Sequence, residues 1–254
     1  MEEVEIIHCH NCQAEQTPGY KFCGSCGSKN LELFKQKVQA NNKFDINLKR
    51  LAQYSVLIVI ALVINAMIDT TLESVVAITI GFAVIDIVFA VSQPSVWKSV
   101  FKSVSLKPFL WIIPVFCLSG IVIGYLVDSL NSVLFEGQIF ISYKDLFLDT
   151  DAPLIYSLII IALFPALFEE LAFRGFLFDN FKNIVGVNSA IWGSAFLFAL
   201  VHFSLLSLFW LFPFGLILGY IRKKHATIIY GVVAHFVHNA TVTIVEHYYG
   251  SLVF

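Results

Sequence analysis

The chain has 254 residues, of which 58% are hydrophobic and only 13% charged, with a net charge of −2. A soluble domain of this size carries roughly twice that charged fraction, and neither the net charge nor any block of Lys and Arg offers a surface for nucleic acid. Polar residues are concentrated in positions 1–50, whereas from Leu51 onward apolar stretches alternate with short polar breaks. Stretches near ~20 residues match the thickness of a bilayer core. The expected architecture is an all-α polytopic membrane protein with a small N-terminal zinc ribbon. Its expected organisation is the ribbon at 1–30, a linker at 31–50, N-terminal transmembrane helices at 51–149 and a second transmembrane region at 150–254.

Met1 to Glu5 is acidic and lacks the basic start of a signal peptide, so the first span is expected to act as its own insertion signal. Cys9-His10-Asn11-Cys12 and Cys23-Gly24-Ser25-Cys26 then form two CxxC knuckles ten residues apart. Each such turn points two thiolates at one place, and two turns close a tetrahedral site for structural Zn²⁺ with ligands Cys9, Cys12, Cys23 and Cys26. Gly24 and Gly27 suit the tight turn in which backbone N–H groups face the sulfurs. The module is too small for an apolar core, so the metal is expected to supply most of its folding energy. Its expected task is docking of a cytosolic protein partner or regulation, not chemistry.

Seven spans are expected, at about 51–68, 74–92, 108–127, 154–177, 187–204, 206–221 and 226–247. Lys43, Lys49 and Arg50 precede the first span. Lys98, Lys102 and Lys107 lie between the second and third, Lys182 follows the fourth, and Arg222, Lys223 and Lys224 separate the sixth and seventh. An alternating path puts all of these on one side, which by the positive-inside rule is the cytosol. The cell membrane is thus the expected location, with a cytosolic N-terminus, where thiols stay reduced. Residues 203–207 leave a short join, and Pro213 and Gly215 interrupt the sixth span, so a broken or re-entrant helix is expected there. Cys117, within an apolar run, reads as packing.

Three spans carry ionisable or imidazole groups. The fourth contains Phe168-Glu169-Glu170-Leu171-Ala172-Phe173-Arg174, the fifth ends Phe198-Ala199-Leu200-Val201-His202, and the seventh contains His235-Phe236-Val237-His238-Asn239. On a helix Glu170 and Arg174 are i,i+4 neighbours and can pair. Glu169 then points about 100° away. His235 and Asn239 share a face. Each charge at mid-membrane costs ~2.5–3.5 kcal/mol on insertion scales, so a shared polar cavity is the economical arrangement. Part of that cost disappears if Arg174 reaches the headgroups.

The EExxxR pattern of Glu169, Glu170 and Arg174, the FxxxH pattern of Phe198 and His202 and the HxxxN pattern of His235 and Asn239 occur in order. Together they resemble the CAAX protease and bacteriocin-processing family over roughly residues 150–247. The resemblance implies hydrolysis of a peptide bond at a membrane-embedded site, acting on a membrane-associated or lipidated protein or peptide. It implies Glu169 as the base that activates water, assisted by His202, with His235 and Asn239 stabilising the oxyanion and the Glu170–Arg174 pair orienting Glu169. Glu169, His202 and His235 would also supply two imidazoles and one carboxylate to a catalytic metal, although no HExxH is present. A non-cleaving immunity protein of the same family is the alternative function. A transporter is disfavoured because no internal repeat is visible.

Overall fold

The computed structural model describes residues 7–16, 21–29, 31–134, 146–202 and 208–249. It divides into two compact units, Met1–Arg50 and Leu51–Phe254.

In the first unit, strands β1 (Ile7–His8) and β2 (Glu15–Gln16) pair antiparallel, with His8 opposite Glu15. The turn between them is the first CxxC knuckle. The second knuckle is closed by a bridge between Phe22 and Lys29. Both knuckles end on a left-handed residue one position after the second cysteine, Gln13 at φ 58° and Gly27 at φ 69°. Their N–H groups bond the carbonyls of Cys9 and Cys23 respectively, both at 2.9 Å. Gly27 thus has the backbone reason expected of it, whereas Gly24 has an ordinary φ.

The positions expected to form a linker are helical, being the start of α1 (Leu31–Met67). Helix α2 (Leu72–Val91) opens on a capping box between Thr71 and Ser74, which satisfies two orphan N–H groups reciprocally. A short helix α3 (Pro94–Val100) and then α4 (Phe109–Leu134) follow. The long helix α5 (Pro153–Val185) alternates between α and π geometry, with π turns at Leu158–Leu163 and Glu170–Leu177. Gly186, at φ 86°, separates it from α6 (Val187–Leu200). Helices α7 (Leu208–His225) and α8 (Ile229–Tyr249) complete the described chain.

The stretches Asn41–Met67, Leu72–Val91, Phe109–Val127 and Pro153–Val185 are long and apolar enough to cross a membrane, and Val187–Leu200 is apolar but shorter. The chain is an all-α, multi-pass membrane protein with a small N-terminal four-cysteine module. The outward faces of α1, α2 and α4 are apolar and exposed, as at Val56, Val88 and Val122, and fit contact with lipid tails. The sixth span differs from expectation. Pro213 and Gly215 lie inside one continuous helix, and Arg222, Lys223 and Lys224 form its last turn rather than a loop. The join at 203–207 and residues 135–145, with Glu136 and Asp145, fall outside the described residues.

Close backbone approach explains much of the packing around α5 and α8. A Cβ on Gly120 of α4 would meet the His238 carbonyl at 2.8 Å, and one on Gly175 would meet Val96 Cγ1 at 2.9 Å. Small residues at helix crossings are the usual route to tight packing in lipid, where no hydrophobic drive separates one apolar surface from another.

Candidate active site

Pro165 organises the first wall of the site. It has no N–H to give the Ile161 carbonyl four residues earlier, and it lies between the two π turns of α5. The Asn239 side-chain amide donates to that carbonyl at 3.3 Å. π turns inside α-helices recur at functional sites, and here the second begins at Glu170, directly after Glu169.

Glu170 and Arg174 are both fully buried and form an ion pair at 2.9 Å. Arg174 is thus enclosed by protein on every side. Its Nη2 donates to the Gly215 carbonyl at 3.3 Å, and its guanidinium lies 4.3 Å from the centre of the Phe198 ring. Full desolvation of two charges is tolerable only when pairing and hydrogen bonding compensate it. Glu170 also has a second partner. It accepts a hydrogen bond from His235 Nδ1 at 3.2 Å, which assigns the remaining ring nitrogen, Nε2, to the cavity side. His235 Nε2 lies 3.9 Å from Glu169 Oε2.

Phe198 explains why an aromatic residue precedes His202 by four positions. Besides carrying Arg174, it packs edge-on against His235 with centroids 5.8 Å apart and against His202 at 5.2 Å. Its carbonyl accepts from His202 Nδ1 at 2.8 Å, turning Nε2 of that ring outward. Phe214 encloses His235 from another side, at 5.4 Å.

These elements surround a cavity of about 430 Å³ whose lining includes Glu169, His202, His235 and Asn239. Four of the six residues expected to carry chemistry therefore meet in one space. The other two, Glu170 and Arg174, stand behind it as the support of His235. Glu169 keeps a 27% exposed side chain, unlike its buried neighbour. The remaining lining is mostly apolar, with Ile58, Phe82, Ile160, Phe168 and Leu211 among it.

Sequence reasoning missed three groups. Asp86 and Tyr54 line the same cavity, and the Tyr54 hydroxyl donates to Asp86 Oδ1 at 2.8 Å. Asp86 was visible as the lone acidic residue in the apolar run Ile80–Val91. For His238 the part missed is its place in the cavity lining, where it is held by Ser119 Oγ at 3.1 Å and by Phe214. Arg222 was read as a loop cation. It is buried, pairs with Asp179 at 3.2 Å and donates from Nε to the Arg174 carbonyl at 2.9 Å. No spacing rule links residues 43 and 48 positions apart.

In the N-terminal unit the sulfurs of Cys9, Cys12, Cys23 and Cys26 lie within 4.8 Å of one another, with Cys9–Cys26 at 3.7 Å and Cys12–Cys23 at 3.6 Å. Tetrahedral thiolates at ~2.3 Å from a zinc ion would be ~3.8 Å apart, so the spacing fits that ion. Backbone N–H groups of Asn11 and Ser25 each reach a sulfur at 3.4 Å. The Ser28 hydroxyl, 3.3 Å from Cys9 Sγ and 3.0 Å from Cys26 Sγ, holds both thiols below their usual range, Cys9 at about 5. Among the described residues this is the one group of three or more His, Cys, Asp or Glu side chains arranged to hold a metal ion. Glu169, His202 and His235 share a cavity without forming such a cluster.

No curated protein and no solved structure matches the chain. Residues 151–241, the segment from the start of α5 into α8, match the model of a family described as type II CAAX prenyl endopeptidase Rce1-like. That segment, which holds every motif residue from Glu169 to Asn239, is similar to this endopeptidase family, in line with the resemblance drawn from those motifs.

Proposed function

We propose that this chain is an intramembrane endopeptidase in which Glu169 activates water against a peptide bond of a membrane-associated or lipidated substrate. The observation that carries the reading is the meeting of Glu169, His202, His235 and Asn239 in one cavity. The 3.9 Å between Glu169 Oε2 and His235 Nε2 exceeds a direct hydrogen bond, and the 27% exposure of the Glu169 side chain leaves its carboxylate open to an attacking water. In the reaction Glu169 takes a proton from this water as its oxygen adds to the carbonyl carbon. The Nε2 side of His235 and the Asn239 amide are the groups that face and stabilise the resulting oxyanion. Glu169 then passes its proton to the amide nitrogen as the C–N bond breaks. Donors aimed at developing charge are worth most where water is scarce, which a largely apolar cavity provides. His202, with Nε2 turned outward, is the second group that can relay a proton. The same match to a protease family favours cleavage over the non-cleaving immunity reading.

The four-cysteine module is proposed to hold structural Zn²⁺ and to face the cytosol, where the basic loops also lie, offering a surface to a cytosolic protein. Its thiolates would be the ligands, and the ion would supply folding energy to a unit without an apolar core.

The test is a comparison of membrane peptides from cells carrying wild-type protein, Glu169→Ala and Glu169→Gln. Peptides that appear only with the wild type identify both activity and substrate. An unchanged peptide pattern and unchanged biological activity in a correctly inserted Glu169→Ala protein would overturn the hydrolytic reading.

A further inference from the structure

A peptide entering this cavity brings backbone N–H groups into a space lined mainly by hydrocarbon. Each such donor left without an acceptor costs several kcal/mol at membrane depth. The cavity's polar side chains therefore have to be shared between chemistry and holding the chain. Glu169, His202, His235 and Asn239 surround the reacting bond in the reading above. Of the rest, Thr79 gives its hydroxyl to the Val75 carbonyl, His238 is bound to Ser119, and Asn65 is exposed near the end of α1. Asp86 differs from all of these. It is 4% exposed, lies within a lipid-length helix, and lines the cavity with a carboxylate that can accept more than one hydrogen bond.

Among the described residues Asp86 forms no ion pair, and its hydrogen bond comes from Tyr54. Tyr54 is itself fixed by edge and tilted packing on Phe89 and Phe176, both with centroids 5.3 Å away. An acidic residue inside a spanning helix is costly and marks function unless it serves as interhelical glue. Asp86 does join α2 to α1 through Tyr54, but it also lines the substrate space, where its carboxylate has further lone pairs to offer. Both residues lie outside the matched segment 151–241.

We infer that Asp86, held in place by Tyr54, is a substrate-positioning residue that accepts a backbone N–H of the bound peptide on the cavity wall contributed by α1 and α2. The inference rests on the proposed peptide-cleaving site, but its test does not require cleavage.

The experiment uses full-length protein in lipid nanodiscs and a lipidated CAAX-type peptide, together with a set in which each backbone amide in turn is N-methylated. Binding is measured to Glu169→Gln protein, so that chemistry does not intervene, and again with Asp86→Ala added. The expected result is that one methylated amide weakens binding about tenfold or more when Asp86 is present. The same methylation should have little effect once Asp86 is absent. Tyr54→Phe should give an intermediate loss at that amide alone. Equal methylation effects in both backgrounds, or a uniform loss for every peptide on Asp86→Ala, would mean a purely structural role and overturn the inference. Failure of the peptide to bind at all would also overturn it. A position-specific effect in protein whose wild type never cleaves would uphold Asp86 and overturn hydrolysis instead.

Discussion

The Nδ1 atom of His235 lies 3.2 Å from Glu170 Oε1, and Glu170 is at the same time ion-paired to Arg174. One buried carboxylate thus joins a cation to an imidazole and leaves the opposite ring nitrogen aimed toward Glu169. In the proposed mechanism this makes the second glutamate of the pair a support for His235. Such partners fix ring orientation and tautomer in the way second-layer groups do at other catalytic histidines.

Glu170→Gln is expected to lower kcat at least a hundredfold and to destabilise the protein by about 3–5 kcal/mol, since Arg174 loses its buried counter-charge. Adding Arg174→Met should recover much of the stability without recovering activity. The two effects are separated by thermal unfolding in detergent alongside peptide cleavage. Recovery of both by the double substitution would show that Glu170 serves only to neutralise Arg174.

Gly231 is the position on α8 that leaves room for this carboxylate. A Cβ there would lie 2.6 Å from Glu170 Oε2, closer than any real contact. Gly231→Ala should therefore displace Glu170 and reduce kcat more than tenfold, while the added helix propensity offsets part of the stability cost. Full activity in this variant would mean that the carboxylate position is not critical.

Asn239 has two assignments that can be distinguished. As an oxyanion donor its removal should cost about 10²–10³ in kcat with little change in KM. As a mere partner of the Ile161 carbonyl it would be worth ~1 kcal/mol of stability. Pro165→Ala returns an N–H to that stretch of helix, so it should rescue the stability of Asn239→Ala but not its kcat. Rescue of catalysis by Pro165→Ala would remove Asn239 from the chemistry.

In the N-terminal module, bound metal competes with protons for the sulfurs. The Ser28 hydroxyl favours thiolate at Cys9 and Cys26, so it favours metal at lower pH. Ser28→Ala raises these thiols toward their ordinary range, and protons then win sooner as pH falls. The midpoint of metal release, followed with a chromophoric chelator, is expected to move to higher pH. A midpoint that stays in place or moves lower would show that Ser28 does not govern the thiolates.

Local spacing made much of the protein legible. The two CxxC turns, the lipid-length apolar runs and the EExxxR, FxxxH and HxxxN patterns each depend on neighbours within a helical turn or a tight loop. The structure brings Glu169, His202, His235 and Asn239 to one cavity as the cost of intramembrane charge required. What local spacing could not supply was the depth of Arg174 and the partner of Glu170. On an isolated helix both side chains have free rotamers, and only α6, α7 and α8 closing over them decide that Phe198, Gly215 and His235 are what they meet.

By itself, then, the sequence determined the class of the protein, its four-sulfur module and the types of residue available for chemistry. These follow from composition and short-range periodicity, which act before any tertiary contact forms. The sequence offers the ionisable residues as a set, and tertiary structure divides it. Glu170 and Arg174 went to the dry interior behind His235, and Glu169 to the cavity face. Asp86 and Tyr54, from helices with no motif, joined that cavity. Long-range packing decides such partnerships because a buried charge must find its partner wherever the fold brings one, however far away it lies in the chain.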